Sequence, residues 1–395
     1  MNSKRLRNGD TEMETADIRK KLHQMAETAH HETATAEFIA GFLRNTGASR
    51  LIEGIGGNGL IAVFDSGKPG PELLFRAELD ALPIPETIDL PYGSKNSNAA
   101  HKCGHDGHMA ILLGLSGMLR EHPITSGKVY LLFQPAEETG EGAVRMLEDK
   151  KMPPITPDYA FALHNLPGYP INNVLLRNDV FAAGSAGLMV RLTGNTAHAA
   201  HPEQGRSPAS AVASIIQDWQ SLPQKTIPFD RAGLLTVIHA RIGEPAFGTT
   251  PGYAEIMTTI RAHDSGDLDL LCDRALDLAR TEADRWNLKL DYEWTEVFHP
   301  TLNHPEAVRI VEKTAGRLRN KNGKRKVADV IWVPRPFSWS EDFGQFTGRY
   351  QGVLFGLGAG EKHPHLHDTH YDFPDELLET GIMLFNGIID DAGLR

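Results

Sequence analysis

The chain has 395 residues, a formal charge of −11 at pH 7, 41% hydrophobic residues and 23% charged residues. That length supports a large core and two domains, and the negative balance argues against nucleic acid or an anionic membrane as the main partner. Two cysteines 169 positions apart, Cys103 and Cys272, argue against a disulfide scaffold and suit a reducing compartment. Residues 1–10 lead into no apolar run of a secretory signal, and no stretch reaches 18 apolar residues, so a cytoplasmic protein without a membrane span is expected.

Residues 16–44 have helical periodicity and stop before Asn45-Thr46-Gly47. Residues 54–59 are glycine-rich and precede a strand at 60–64. No Lys-Ser/Thr pair follows, so a tight turn is preferred to a phosphate loop. A strand at 73–77 runs into Glu78-Leu79-Asp80. Two carboxylates spaced i and i+2 past a strand could face one site, and Asp80 could orient an imidazole that binds a metal; solvated turn acids are the alternative.

His101-Lys-Cys-Gly-His-Asp-Gly-His108 is the densest chemistry in the chain. Cys103 and His105 leave the same side of an extended backbone, and thiolate and imidazole both bind zinc-like metals. A helical run at 109–119 follows, whose positive end lowers a thiol pKa. A strand at 128–134 then ends at Pro135, before Glu137-Glu138. Adjacent side chains diverge, so one carboxylate could bind a metal while its neighbour handles a water proton. A strand at 159–163 delivers His164 at its end.

Strands alternating with helices imply a mostly parallel sheet with helices on both faces. In such sheets sites form beyond the strand C-terminal ends, where Glu78, Asp80, Glu137, Glu138 and His164 all fall. From about residue 185 the pattern changes: strand 188–193, helix 207–222, strands 234–242 and 253–262, helix 267–285 and strand 288–294. This βαββαβ order is that of a ferredoxin-like unit inserted into the first. The expected division is 1–184 with 302–395, and 185–301. The loop 196–202 carries His198, which could reach an active site or stand as an exposed turn residue. Helical pattern returns at 305–319. Ser340-Glu341-Asp342-Phe343 reads as a serine cap with acids in a first helical turn. A strand at 353–357, a histidine-rich stretch from His363 to His370 and a closing helix at 375–390 complete the chain.

In order and spacing these motifs resemble the M20 metallopeptidase family, in particular its amidohydrolase branch (subfamily D), which includes hippurate, N-acyl amino acid and auxin-conjugate hydrolases. The resemblance rests on residues 22–35, Arg76-Ala77-Glu78-Leu79-Asp80-Ala81-Leu82-Pro83, the 101–108 stretch, Phe133-Gln-Pro-Ala-Glu-Glu138, Leu163-His164, Ser340-Glu-Asp-Phe343 and Leu366-His367 with Tyr371-Asp-Phe373.

It implies a two-domain α/β enzyme, an inserted lid and dimerisation domain, and two divalent ions per subunit (Zn, Mn, Co or Ni). The implied ligands are Cys103, His105, Glu138, His164 and His367, with Glu137 as general base and His198 as the lid histidine that stabilises the oxyanion. The implied reaction is hydrolysis of an N-acyl amino acid or similar small amide. A dipeptidase or aminopeptidase of the same fold, or an inactive metal-dependent binding protein, are the alternatives. Three departures stand out. Glu78 replaces the usual Asp, Thr196-Ala197 replace glycines before His198, and Gly248-Thr249-Thr250-Pro251 replaces Asn-Val-Ile-Pro.

Overall fold

A computed structural model describes residues 5–8, 11–318 and 327–395. Contacts divide the chain into two units. The larger comprises Met1–Phe181, Thr301–Arg335 and Asp342–Arg395; the smaller comprises Ala182–Pro300 and Pro336–Glu341. The smaller unit thus gains residues 336–341, which the sequence pattern leaves with the larger. Backbone pairing draws them in: the Ala183 amide donates to the Phe337 and Trp339 carbonyls, and Arg261 donates to the Ser338 carbonyl and Ser340 hydroxyl.

The larger unit is built on an eight-stranded sheet in the order Val330–Trp332, Val174–Leu176, Gly352–Gly358, Tyr159–Leu166, Glu72–Glu78, Lys128–Gln134, Gly59–Asp65, Arg50–Ile55. The four strands from Gly352–Gly358 to Lys128–Gln134 run parallel. They read as near-continuous apolar runs because both faces are covered. Alternation sorts the faces. Leu73, Phe75, Ala77, Val129, Leu131, Phe133, Phe161 and Phe355 join the main core with helices Thr15–Gln24, Thr33–Leu43, His105–Glu121, Pro305–Arg317 and Glu376–Asp391. Arg76 and Gln134 lie on the other face, where Asp342 and the start of helix Gly142–Glu148 meet them.

Helix His105–Glu121 is buried nearly all round, and it packs against Glu376–Asp391 with small residues at the contact. A Cβ on Gly114 would sit 2.3 Å from Ile382 Cδ1, and one on Gly381 2.6 Å from Ile111 Cδ1. The expected helix at 16–44 is two helices. The break frees Glu27 to accept from the Ala34 and Thr35 amides, and Glu32 to accept from the His30 and Ala136 amides. Sequence periodicity runs through this break because apolar spacing resumes on the same face. Residue 319 of the expected helix 305–319 lies outside the described residues. The glycine-rich stretch is the turn between the last two strands of the sheet.

The smaller unit has strands Gly184–Thr193, Gly233–Ile242, Tyr253–Ala262 and Lys289–Phe298, with helices Ala209–Thr226 and Ser265–Arg285. Numbered in chain order, the strands lie 2-3-1-4, and all neighbours are antiparallel. Its core joins Leu188, Val190, Ile256 and Ile260 to Ile215, Trp219 and Leu271. No helix among the described residues is long and apolar enough to cross a membrane.

Candidate metal centre

The parallel strands bring four segments together at their C-terminal ends. Glu72–Glu78 ends in Glu78 and leads to Asp80. Lys128–Gln134 leads through Ala136, held at φ 51°, to Glu137 and Glu138. Strand Tyr159–Leu166 extends beyond the expected 163, because its last residues pair with Gly352–Gly358 in register His164↔Gly356; His164 therefore projects from within the strand rather than after it. Cys103 sits just before helix His105–Glu121. The residue between them is Gly104, at φ 94°, where a Cβ would lie 2.6 Å from the Asn165 side-chain oxygen. Only glycine adopts this conformation freely.

Cys103 Sγ is 3.6 Å from His164 Nε2. His105 Nε2 is 3.8 Å from Glu138 Oε1 and 3.9 Å from Glu137 Oε2. His367 Nε2 is 3.7 Å from Glu138 Oε2. These residues form three overlapping groups whose donor atoms lie within 4.8 Å of one another: Cys103 with His105 and His164, Cys103 with Glu138 and His367, and His105 with Glu137 and Glu138. The nitrogen–oxygen separations are too long for good hydrogen bonds. With Zn–N of about 2.05 Å and Zn–S of about 2.3 Å, tetrahedral ligands stand about 3.4–3.6 Å apart; the Cys103–His164 separation meets this, and the nitrogen–oxygen separations are a few tenths of an ångström longer. The overlap gives more donors than one tetrahedral ion uses.

The imidazoles are set for this. His105 Nδ1 lies 2.8 Å from the Asp80 carbonyl, and His164 Nδ1 lies 3.0 Å from the Asn165 carbonyl. A ring N–H donating to a carbonyl leaves Nε2 as the lone-pair nitrogen that a metal takes. His105 Nε2 is buried and has no hydrogen-bond partner among the described residues. Burial pushes the His164 pKa down to about 3, so this ring is neutral. Burial opposes charge on His105 too, but its hydrogen bond to Asp80 and the charges of Glu78 and Glu138 outweigh it and hold the pKa up at about 10. Burial, with Glu138 and Glu137, pushes the Cys103 thiol well above its usual range. So many carboxylates around a thiol and an imidazole make a field that calls for positive charge, and a cation there reverses the thiol's preference.

Asp80 fixes this corner mainly through its backbone. Its carbonyl meets His105, while its carboxylate accepts from the Glu138 amide at 2.9 Å and stays 3.6 Å from His105 Nδ1. Glu137 is buried, and its Oε1 accepts a long bond of 3.4 Å from the Asp342 amide. Asp342 is no helix-turn acid, as its sequence context suggests. It is wholly buried, accepting from Arg76, Gln134 and the Ala143 amide, and the helix starts later, at Gly344–Thr347. His108 and Asp106 brace the loop. His108 bridges Glu78 and Asn165, and Asp106 meets Arg19 and His23. Among the described residues, His101 is buried without a hydrogen-bond partner for either ring nitrogen and joins none of the groups. Of the four C-terminal histidines only His367 enters such a group among the described residues.

Sequence reasoning gave no role to Glu32, Lys102 or Asn165. Asn165 Nδ2 donates to the Tyr371 hydroxyl while its Oδ1 faces His108. Its one sequence signal was its place directly after a candidate ligand. His198 belongs to the smaller unit. It is exposed on the short strand Ala197–His198, which pairs with Thr249–Thr250, and its Nδ1 accepts from the Ala200 amide at 3.1 Å. Two of the departures noted from sequence therefore meet on one ribbon. A separate cavity of about 820 Å³ lies by the strand N-terminal ends, among Asp158, Tyr159, Arg349 and Tyr350, and holds none of the cluster.

The model of peptidase family M20/M25/M40 matches residues 74–391. The chain is 29% identical to a hippurate hydrolase of Campylobacter jejuni over 93% of this chain and 94% of that one. It is 30% identical to an N-acetyl-L-cysteine deacetylase of Bacillus subtilis, over 95% and 87% respectively. Among solved structures, a putative aminohydrolase from methicillin-resistant Staphylococcus aureus superposes with a TM-score of 0.83 at 25% identity, covering 96% of each chain. A dinuclear metal-binding peptidase of the M20 family from Bacillus subtilis gives 0.77 at 21%, covering 95% of this chain and 96% of that one, which supports the shared fold.

Proposed function

Because the chain belongs to peptidase family M20/M25/M40, we propose that it is a metal-dependent amidohydrolase that cleaves the amide bond of N-acyl amino acids or similar small conjugates. The observation that carries this reading is the set of overlapping donor groups, one of which holds a second carboxylate, Glu137, next to Glu138. A binding protein needs the donors but not that carboxylate.

Cys103, His105, Glu138, His164 and His367 are assigned as ligands of two divalent ions, with Asp80 orienting His105. When bound, such ions supply the positive charge that acidifies water and polarises the acyl carbonyl. Zinc, manganese, cobalt and nickel all suit a mixed Cys/His/carboxylate set. Glu137 takes the proton of the attacking water and returns it to the leaving amine. Its neighbours support the role: the Asp342 amide holds one oxygen while the other faces His105. His198 is assigned to oxyanion stabilisation on the family resemblance.

The substrate class follows from the relatives, whose names share an N-acylated amino acid: hippurate, N-acetyl-L-cysteine and N-acetyldiaminopimelate. A homodimer is inferred through the smaller unit. Among the described residues its edge strand Gly233–Ile242 leaves one side unpaired and exposes Leu234, Ile238 and Ile242, an edge open to strand addition. A cytoplasmic location is inferred from two free cysteines. The deciding experiment is a panel of N-acyl amino acids and free dipeptides offered to metal-loaded protein. Release of free amino acid from the acylated set supports the reading. Turnover only of substrates with a free α-amino group reassigns the enzyme as a peptidase, and tight binding without hydrolysis makes it a binder.

A further inference from the structure

Lys102 stands between Cys103 and His101, and a lysine there would ordinarily reach for water. Instead it is wholly buried. Its ammonium donates to Glu86 Oε1 at 2.5 Å and to the Tyr371 carbonyl at 2.9 Å. Its own carbonyl accepts from the His367 amide at 2.8 Å. One residue thus grips the C-terminal segment at two points four residues apart. At the first of those points His367 is held at φ 66°, a left-handed conformation disfavoured for a residue with a Cβ. The His367 side chain is about half exposed, so packing does little to orient it.

We propose that Lys102 is a positioning residue that holds His367 toward Glu138 and Cys103, so that the donor group containing His367 is formed before a metal arrives. The proposal rests on the assignment of His367 as a ligand. Buried ammonium is expensive to keep, and the geometry shows what it holds: the irregular stretch that carries the one donor not supplied by a strand end or by the loop at the helix start. Glu86 completes the grip from the loop 82–100, and its carboxylate is held down to about 2 by Lys102 and His23 in spite of burial. Arg19 and Tyr92 fasten the same segment farther along, at Asp372. Lys102 alone among these is joined by the chain directly to Cys103. It therefore ties two members of one donor group, Cys103 and His367, to each other.

The test titrates metal-free protein with Co²⁺, following the number of ions bound and the thiolate-to-metal absorption, with no substrate present. Wild type and Lys102→Met, Lys102→Gln and His367→Ala are compared, each checked for folding by circular dichroism. Residues that orient metal ligands typically contribute about 10–100-fold in affinity. Lys102→Met is therefore expected to bind one of the two ions about 10–100-fold less tightly while the other ion and its absorption band persist. Lys102→Gln is uncharged and too short to reach both partners. It is expected to shift the same ion in the same direction, and it carries the test if the Met variant fails to fold. Wild-type affinity for both ions in a folded Lys102 variant overturns the proposal, as does an equal loss of both. Wild-type affinity for both ions in His367→Ala removes the ligand assignment itself, and the proposal with it.

Discussion

The Asp342 carboxylate accepts a 2.7 Å hydrogen bond from the Arg76 guanidinium, and both side chains are wholly buried. Arg76 also meets Glu78, and Gln134 adds two bonds to Asp342. Removing one partner of a buried ion pair costs about 3–5 kcal/mol. Arg76→Met takes the shared guanidinium from two carboxylates, whereas Asp342→Asn removes one of its two partners and keeps an acceptor. Urea unfolding should therefore show Arg76→Met to be the more damaging change, with a loss at the upper end of that range. Equal losses would mean that Arg76 is not the shared counter-ion.

Glu137→Gln should fold and retain metal while kcat falls by about 10²–10⁴, the usual contribution of a positioned acid–base group. Paired measurements of metal content and turnover check this. Normal turnover would remove Glu137 from the proton path.

Cys103→Ser replaces a soft donor that belongs to two of the three donor groups. Metal retention after dialysis, read by elemental analysis, should fall, and more for zinc than for manganese. Unchanged metal content would count against ligation.

His23 sits between Asp106 at 2.9 Å and Glu86 at 2.8 Å. Burial disfavours its charge, yet these two hydrogen bonds outweigh burial and hold its pKa up at about 9, against 6.5 for the free side chain. A raised pKa stabilises the fold fully below the unfolded value, and that contribution is lost as pH rises through the folded one. Stability from this group should thus decline between about pH 6.5 and 9, by on the order of 3 kcal/mol in total. In His23→Gln this part of the slope of unfolding free energy against pH should vanish. An unchanged slope would show that His23 does not titrate there.

Gly104→Ala forces a side chain into a left-handed backbone and against the Asn165 amide. Left-handed strain alone costs about 1–2 kcal/mol. The thermal midpoint should drop, and metal retention should drop with it, because Cys103 and His105 flank the residue. A loss of stability with full metal retention would show that the loop relaxes elsewhere.

Much of this was legible from sequence, and unevenly so. The buried strands at 128–134 and 253–262 were placed to the residue because each ends at a proline, glycine or charged turn. The cluster of Cys103, His105, Glu137, Glu138 and His164 was legible because these residue types recur at strand ends and at the helix start. Asp342 was misread because its partner Arg76 lies 266 residues away, and only the folded sheet brings them together. Lys102 was passed over because an isolated lysine looks solvated until its counter-ion Glu86 and the Tyr371 carbonyl are placed. The helix break at 25–32 was hidden because Glu27 and Glu32 have helical propensity and act through long-range bonds to Thr35 and Ala136.

The order of strands carries a consequence for how the protein is made. Gly352–Gly358 lies between Tyr159–Leu166 and Val174–Leu176, and His367 follows it. On the ribosome the roughly 180 intervening residues take about 9–36 s to synthesise at ~5–20 residues per second. Through that interval nothing joins Val174–Leu176 to Tyr159–Leu166, and His367 is not yet beside Cys103. The smaller unit, whose strands are contiguous in the chain, can close first. Insertion of the late strand then joins Val174–Leu176 to the rest of the sheet and brings His367 to Cys103 and Glu138, which are already in place.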